Sequence, residues 1–226
     1  MITRQQLNDY YQALLSPETY ADYCPNGLQI EGSEYIGRIA FAVSATRDSI
    51  AQAVESCADA LVVHHGLFWT FHGAKPLTGA FAQRIFPLVK NGINLLAYHL
   101  PLDGHPDSGN AAALGQLIDC RQQQPFGDYK GSATGIKGVL EQPLSAAALQ
   151  QKLQAVLGHN VILATPDSNA LIRSVGIITG GASSEWRLAE KHQLDAYITG
   201  EISEHDWHES QEAGIHMFAG GHNATE

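Results

Sequence analysis

Asp59-Ala60-Leu61-Val62-Val63-His64-His65 and Asp195-Ala196-Tyr197-Ile198-Thr199-Gly200-Glu201 occupy corresponding places in two series of alternating apolar and amphipathic segments. Each begins with an aspartate, runs through a short apolar stretch of strand character and ends in polar residues. Before the first lie a strand at 38–44 and a helical stretch at 46–57; after it come a helix at 78–91 and a strand at 93–98. Around the second, 174–181 reads as a strand, 184–192 as a helix and 215–221 as a strand. An opening helix covers 3–15, a short apolar VIL stands at 161–163, and the middle of the chain is more polar. Strands that are nearly continuous in apolar residues and alternate with helices predict an α/β fold with buried, largely parallel strands.

The match extends to the ends of the series. Gly92-Ile93 opens a strand that leads to His99-Leu100-Pro101-Leu102-Asp103, and Gly214-Ile215 opens one that leads to His222-Asn223-Ala224-Thr225-Glu226. We read this as an internal duplication of a strand–helix–strand–helix–strand unit, roughly 37–105 and 173–226. The expected architecture is two similar α/β halves, about 1–120 and 121–226, with a metal site between them at the C-terminal ends of the strands. Ligands in open α/β sheets bind at those ends.

The residues there suggest the chemistry. Adjacent His64 and His65 follow an apolar strand, and neighbouring side chains on an extended chain point to different sides, so the pair can serve two ions or one ion and its surroundings. His99/Asp103 and His222/Glu226 are spaced i,i+4 and would share a face on a helical turn; Pro101 also allows a loop. Imidazole suits zinc, iron, manganese or nickel, while carboxylates can bridge two ions. A single histidine near a strand end is more often structural than a ligand; the repeated arrangement is what favours a metal site. Cysteine is absent from these motifs, which argues against a closed structural zinc site. The other histidines, His72, His105, His159, His192 and His216, have no such context. Thr179-Gly180-Gly181-Ala182-Ser183-Ser184 could cradle a phosphate or could simply be a tight turn, and Pro25-Asn26-Gly27-Leu28-Gln29 reads as a turn entering a short strand.

Composition limits the alternatives. The chain has 226 residues, 44% hydrophobic and 16% charged, with a formal net charge of −10. That balance disfavours duplex nucleic acid, whose binding rests on phosphate neutralisation. No apolar run approaches a membrane span. Three isolated cysteines, Cys24, Cys57 and Cys120, fit a reducing compartment, and a cytoplasmic location is expected.

The segments PNGLQIEG (25–32), DALVVHHGLFW (59–69), YHLPLDGHPDSGNA (98–111), GIITGGASS (176–184), DAYITGEISEHDWH (195–208) and AGGHNATE (219–226) resemble the GTP cyclohydrolase 1 type 2 homologs, also called NGG-one-interacting-factor-three-like proteins, in their short bacterial form. The resemblance implies a dinuclear centre of two divalent ions held by His64, His65, Asp103, His222 and Glu226. It thereby selects Asp103 over His99. It also implies a toroidal homohexamer, a trimer of dimers, and a hydrolase acting on a nucleotide or related small molecule. Glu201 with His208 is the expected proton-transfer pair. The alternative is a metal-binding or regulatory assembly protein without turnover. The family continues past its GHxxTE motif into a helix, whereas the sequence stops at Glu226; a further C-terminal segment is therefore expected in the natural protein, and without it metal occupancy where Glu226 binds is expected to be weakened.

Overall fold

The computed structural model describes residues 1–226 and divides into two compact units, Met1–Leu102 and Asp103–Glu226. The sequence suggested a division near 120. It falls earlier because the helix at Asn110–Leu117 packs on strands Cys120–Phe126 and Gly135–Ser145, both in the second unit.

In chain order the N-terminal unit comprises β1 (Ile2–Thr3), α1 (Arg4–Leu15), β2 (Gly27–Ile30), β3 (Tyr35–Ile36), β4 (Ile39–Ser44), α2 (Arg47–Glu55), β5 (Ala60–His65), α3 (Gly79–Lys90) and β6 (Asn94–Ala97). Its main sheet has the order β2-β6-β5-β4: β4, β5 and β6 are parallel, and β2 adds antiparallel to β6. Alternate residues of β5 and β6 serve opposite faces, as a pleated strand requires. Leu61, Val63, Leu95 and Ala97 pack with Ile50 and Ala53 of α2 and Ile85 and Leu88 of α3. Ala60, Val62 and Leu96 pack with Leu7 and Leu15 of α1. With both faces covered, Ala60–Val63 and all of β6 are buried, hence the unbroken apolar runs Ala60–Val63 and Leu95–Ala97.

A helical turn, α4 (Leu100–Asp103), spans the division. The C-terminal unit then comprises α5 (Asn110–Leu117), β7 (Cys120–Phe126), β8 (Gly135–Ser145), α6 (Ala146–Leu157), β9 (Ile162–Ala164), β10 (Leu171–Ile177), α7 (Trp186–Lys191), β11 (Ala196–Thr199), α8 (Glu204–Glu212), β12 (His216–Ala219) and a last turn, α9 (His222–Thr225). Its sheet has the order β7-β8-β10-β11-β12-β9, with β10, β11 and β12 parallel and β9 antiparallel to β12. One face carries α5 and α6 through Leu114, Leu149 and Leu153; the other carries α7 through Trp186 and Ala189. No helix is long and apolar enough to cross a membrane.

The two units repeat one arrangement: three parallel strands, with an earlier strand of the same unit added antiparallel to the third. They also share a hydrogen-bond device. The Asp59 carboxylate accepts from the backbone N–H of Gly37 and Arg38 at 2.8 and 2.9 Å, just before β4. The Asp195 carboxylate accepts from the N–H of Arg173 and Ser174 within β10, both at 2.8 Å. Each aspartate thus ties the start of one parallel strand to its neighbour. The polar middle, by contrast, hid β7 and β8. Most of β7 is exposed, and its ladder to β8 shifts register between Arg121 and Gln124, where Gln122 has φ 53°. A bulged edge strand shows no alternating apolar pattern.

Asp195 also accepts from Ser174 Oγ at 3.0 Å. Asp195→Ala is therefore expected to destabilise the C-terminal unit by about 1–3 kcal/mol. Urea unfolding measures this, and a change below about 0.5 kcal/mol would contradict the tying role, being the size expected of an ordinary surface substitution.

Candidate metal centre

In each unit the donor side chains lie at or just past the C-terminal ends of the parallel strands. In the N-terminal unit, β5 ends on His64 and His65, and β6 leads through Tyr98 to His99. The two adjacent rings do not diverge as strand alternation suggested. The strand stops at His65, and the ring centroids are 4.5 Å apart, inclined by 48°. Ligand nitrogens of His64, His65 and His99 all lie within 4.8 Å of one another.

Each of these rings is held through Nδ1. That of His64 donates to the Tyr98 carbonyl at 3.0 Å, because a carbonyl can only accept; the lone pair is then on Nε2. Nδ1 of His65 shares a 2.9 Å hydrogen bond with Ser44 Oγ. Nδ1 of His99 lies 2.9 Å from the Asp22 carboxylate, which also accepts from Asn26 Nδ2 and from the N–H of Cys24 and Leu100. Burial alone would raise the Asp22 carboxyl, but the hydrogen bonds from His99 and then Asn26 outweigh it and hold the group at about 2. A buried carboxylate thus remains charged behind His99.

The PNGLQ turn, expected to enter a short strand and leading into β2, holds this cluster as well. Asn26 Oδ1 accepts from the His99 N–H at 2.8 Å. Gln29 Oε1 accepts from the Leu67 N–H at 2.9 Å, and a Cβ on Gly66 would come within 2.3 Å of that oxygen. Asn26 and His99 are far apart in sequence, so spacing alone gave no signal of their contact. Thiols contribute nothing: burial first, and the Asp22 charge second, push Cys24 up to about 12.

In the C-terminal unit, buried Asp103 accepts from Thr179 Oγ1 at 3.0 Å and from Asn110 Nδ2 at 2.9 Å. α4 and α9 are helical turns, as the i,i+4 spacings suggested. His222 Nε2 lies 3.2 Å from Glu226 Oε1, and His222 Nδ1 lies 2.6 Å from Glu201 Oε1. The Glu226 hydrogen bond is the largest influence on His222; burial opposes it, and Glu201 adds to it, taking the imidazole up to about 9. Glu201 therefore orients a histidine that the sequence reading assigned to metal. His208 is exposed on α8 and forms no hydrogen bond with Glu201.

The TGG loop after β10 serves these groups. Gly180 has φ 67°, and a Cβ there would lie 2.3 Å from Glu226 Oε1 and 3.1 Å from His222 Nε2. Its N–H donates to Thr225 Oγ1 at 3.1 Å, so that amide is already engaged by protein rather than held for a phosphate. A glycine is required here by the close approach of the His222 and Glu226 side chains as well as by the backbone.

The whole chain matches a known family. The model of Duf34/NIF3 (NGG1p interacting factor 3) aligns with residues 2–226. The chain belongs to the Duf34/NIF3 family. Within it, a protein of Pasteurella multocida named GTP cyclohydrolase 1 type 2 homolog is 42% identical over 94% of this chain and 84% of its own length. A Vibrio cholerae relative of the same name is 41% identical over 98% of this chain and 87% of its own. Among solved structures, protein ybgI, of unknown function, superposes with a TM-score of 0.90 at 35% identity, covering all of this chain and 89% of that one. A Thermus thermophilus structure superposes with a TM-score of 0.88 at 28% identity, covering 100% of this chain and 88% of that one.

Two outcomes follow. Because a raised imidazole stabilises the fold below its ordinary 6.5 and that contribution is lost as pH rises through about 9, metal-free protein should show His222 titrating well above 6.5 by NMR. Glu201→Gln should move that titration downward; an unmoved midpoint would contradict the Glu201 contribution. Gly180→Ala should displace Glu226 and lower divalent-metal retention while leaving the far-ultraviolet circular dichroism unchanged. Full retention would show that the close approach does not matter.

Proposed function

We propose that this chain is a dinuclear divalent-metal protein and a metal-dependent hydrolase acting on a nucleotide or related small molecule. Its ligands in this reading are His64, His65, Asp103, His222 and Glu226. The observation that carries it is chemical fit. The histidines present one ring nitrogen to a hydrogen-bonding neighbour, which is how metal-ligating imidazoles are fixed in tautomer and orientation. Asp103 and Glu226 add oxygen donors of the kind that bridge or complete such centres. The donor set is nitrogen and oxygen only, which suits zinc, iron, manganese or nickel.

Bound divalent ions would supply Lewis acidity and lower the pKa of water toward about 7. The chain's own residues do the rest. Ser44, the Tyr98 carbonyl and Glu201 orient His65, His64 and His222, while Thr179 and Asn110 hold the Asp103 carboxylate. In this reading Glu201, hydrogen-bonded to His222, carries a proton to or from the reacting group, and His208 assists from α8. The substrate class is supported by the relatives' name, GTP cyclohydrolase 1 type 2 homolog. The same reading includes a toroidal homohexamer in the cytoplasm.

Metal-loaded protein incubated with GTP and other nucleotides tests this. Formate, phosphate or a ring-opened product should form, and His65→Ala or Glu226→Ala should abolish it. Absence of product from every nucleotide, with the metal retained, would replace the hydrolase with a metal-binding or regulatory assembly protein.

A further inference from the structure

Gly66-Leu67-Phe68-Trp69-Thr70-Phe71 follows His65 directly, with three aromatic residues in six. Leu67, Phe68 and Trp69, with Pro25, Lys75 and Phe81 of α3, wall a cavity of about 230 Å³ inside the N-terminal unit. The segment is fastened in place. Gln29 Oε1 accepts from the Leu67 N–H at 2.9 Å, and the Thr70 N–H and Oγ1 both donate to the Tyr23 carbonyl, at 2.9 and 3.1 Å. Trp69 joins the cavity to the histidines: its ring centroid lies 6.0 Å from that of His65 and 5.2 Å from that of His99. Phe71 stacks on it at 5.7 Å and 26° and is itself 65% exposed, so the aromatic surface continues from the cavity to solvent. In a chain of net charge −10, no carboxylate lines this cavity. One cation does: Lys75 Nζ stands 4.6 Å from the centroid of the Phe81 ring. Apolar and aromatic walls with a few placed polar groups are the composition of a small-molecule site.

We propose that this cavity binds a planar aromatic ring that carries an anionic group, the ring packing on Trp69 and the anion meeting Lys75. Its volume sets the size of what enters. Sites for drug-sized ligands run from about 300 to 1,000 Å³, so about 230 Å³ accepts one ring system and leaves the rest of the molecule outside. A nucleoside monophosphate has both features, a stacking base and a negative charge. Trp69 and Lys75 then decide which ring is accepted beside the donor histidines. As a binding site the cavity stands by itself; as a substrate site it rests on the proposed hydrolase.

Calorimetric titration of the full chain with GMP, AMP, UMP and the corresponding nucleosides tests this. At least one nucleotide should bind. Trp69→Leu should weaken it by about 5–100-fold, the scale of one base stacked on an aromatic side chain, and Trp69→Phe should restore most of the affinity. Lys75→Gln should weaken the nucleotide by about 2–5-fold, the scale of an exposed ion pair, while leaving its nucleoside unchanged. Lys75 is exposed, so this second variant decides where Trp69→Leu fails to fold. No binding of any nucleotide, or affinities unmoved by these substitutions in folded protein, would overturn the proposal. Binding that responds to both residues, with no product from metal-loaded protein, sustains the cavity and sets aside only the hydrolase. Product formed with an unchanged KM by both variants does the reverse.

Discussion

A histidine binds a metal well only if something else decides where its other nitrogen points. That constraint organises much of this protein. The Tyr98 carbonyl holds His64, Ser44 holds His65, Asp22 holds His99 and Glu201 holds His222. These partners come from strand ends and the loops beside them, so the parallel sheets are what put each partner next to its ring. Ser44 closes β4 opposite His65 at the end of β5, in register as a parallel pair. The sheet supplies the orienting group as a consequence of its register.

Backbone economy does a similar job in the C-terminal unit. Glycines at 180, 200 and 221 stand where any side chain would strike Glu226, His222 or the ring of His159. Gly200 donates to Gly180 and Gly221 donates to Gly200, so the ends of three parallel strands are linked through atoms rather than side chains. This leaves their outer side for donors. The aspartates at the opposite ends, Asp59 and Asp195, anchor the strand starts in both units. Each unit is thereby pinned at one end and carries its candidate metal donors at the other.

Much of this was legible in the sequence. Buried parallel strands such as those of Ala60–Val63 and Ala196–Ile198 announce themselves because both faces are covered and the run stays apolar. The i,i+4 turn of His222 and Glu226 was likewise readable from spacing. Less visible were features that depend on contacts distant in sequence or on exposed edges. Asp22, Asn26 and Gln29 look like ordinary turn residues until the fold brings them to His99 and Leu67. Strand β7 was hidden by its exposure and its bulge. The loop Thr179–Gly181 offered two readings, and only the position of Glu226 against Gly180 chose between them. The adjacent rings of His64 and His65 depart from simple alternation because the strand ends on them.

In the proposed function the chain carries a pair of metal ions. Elemental analysis of protein purified without added metal, set against protein concentration from amino-acid analysis, addresses it without assuming a substrate or an assembly. About two equivalents of zinc, iron, manganese or nickel per chain are expected. Fewer than one half equivalent, in protein whose circular dichroism shows it folded, would contradict that pair.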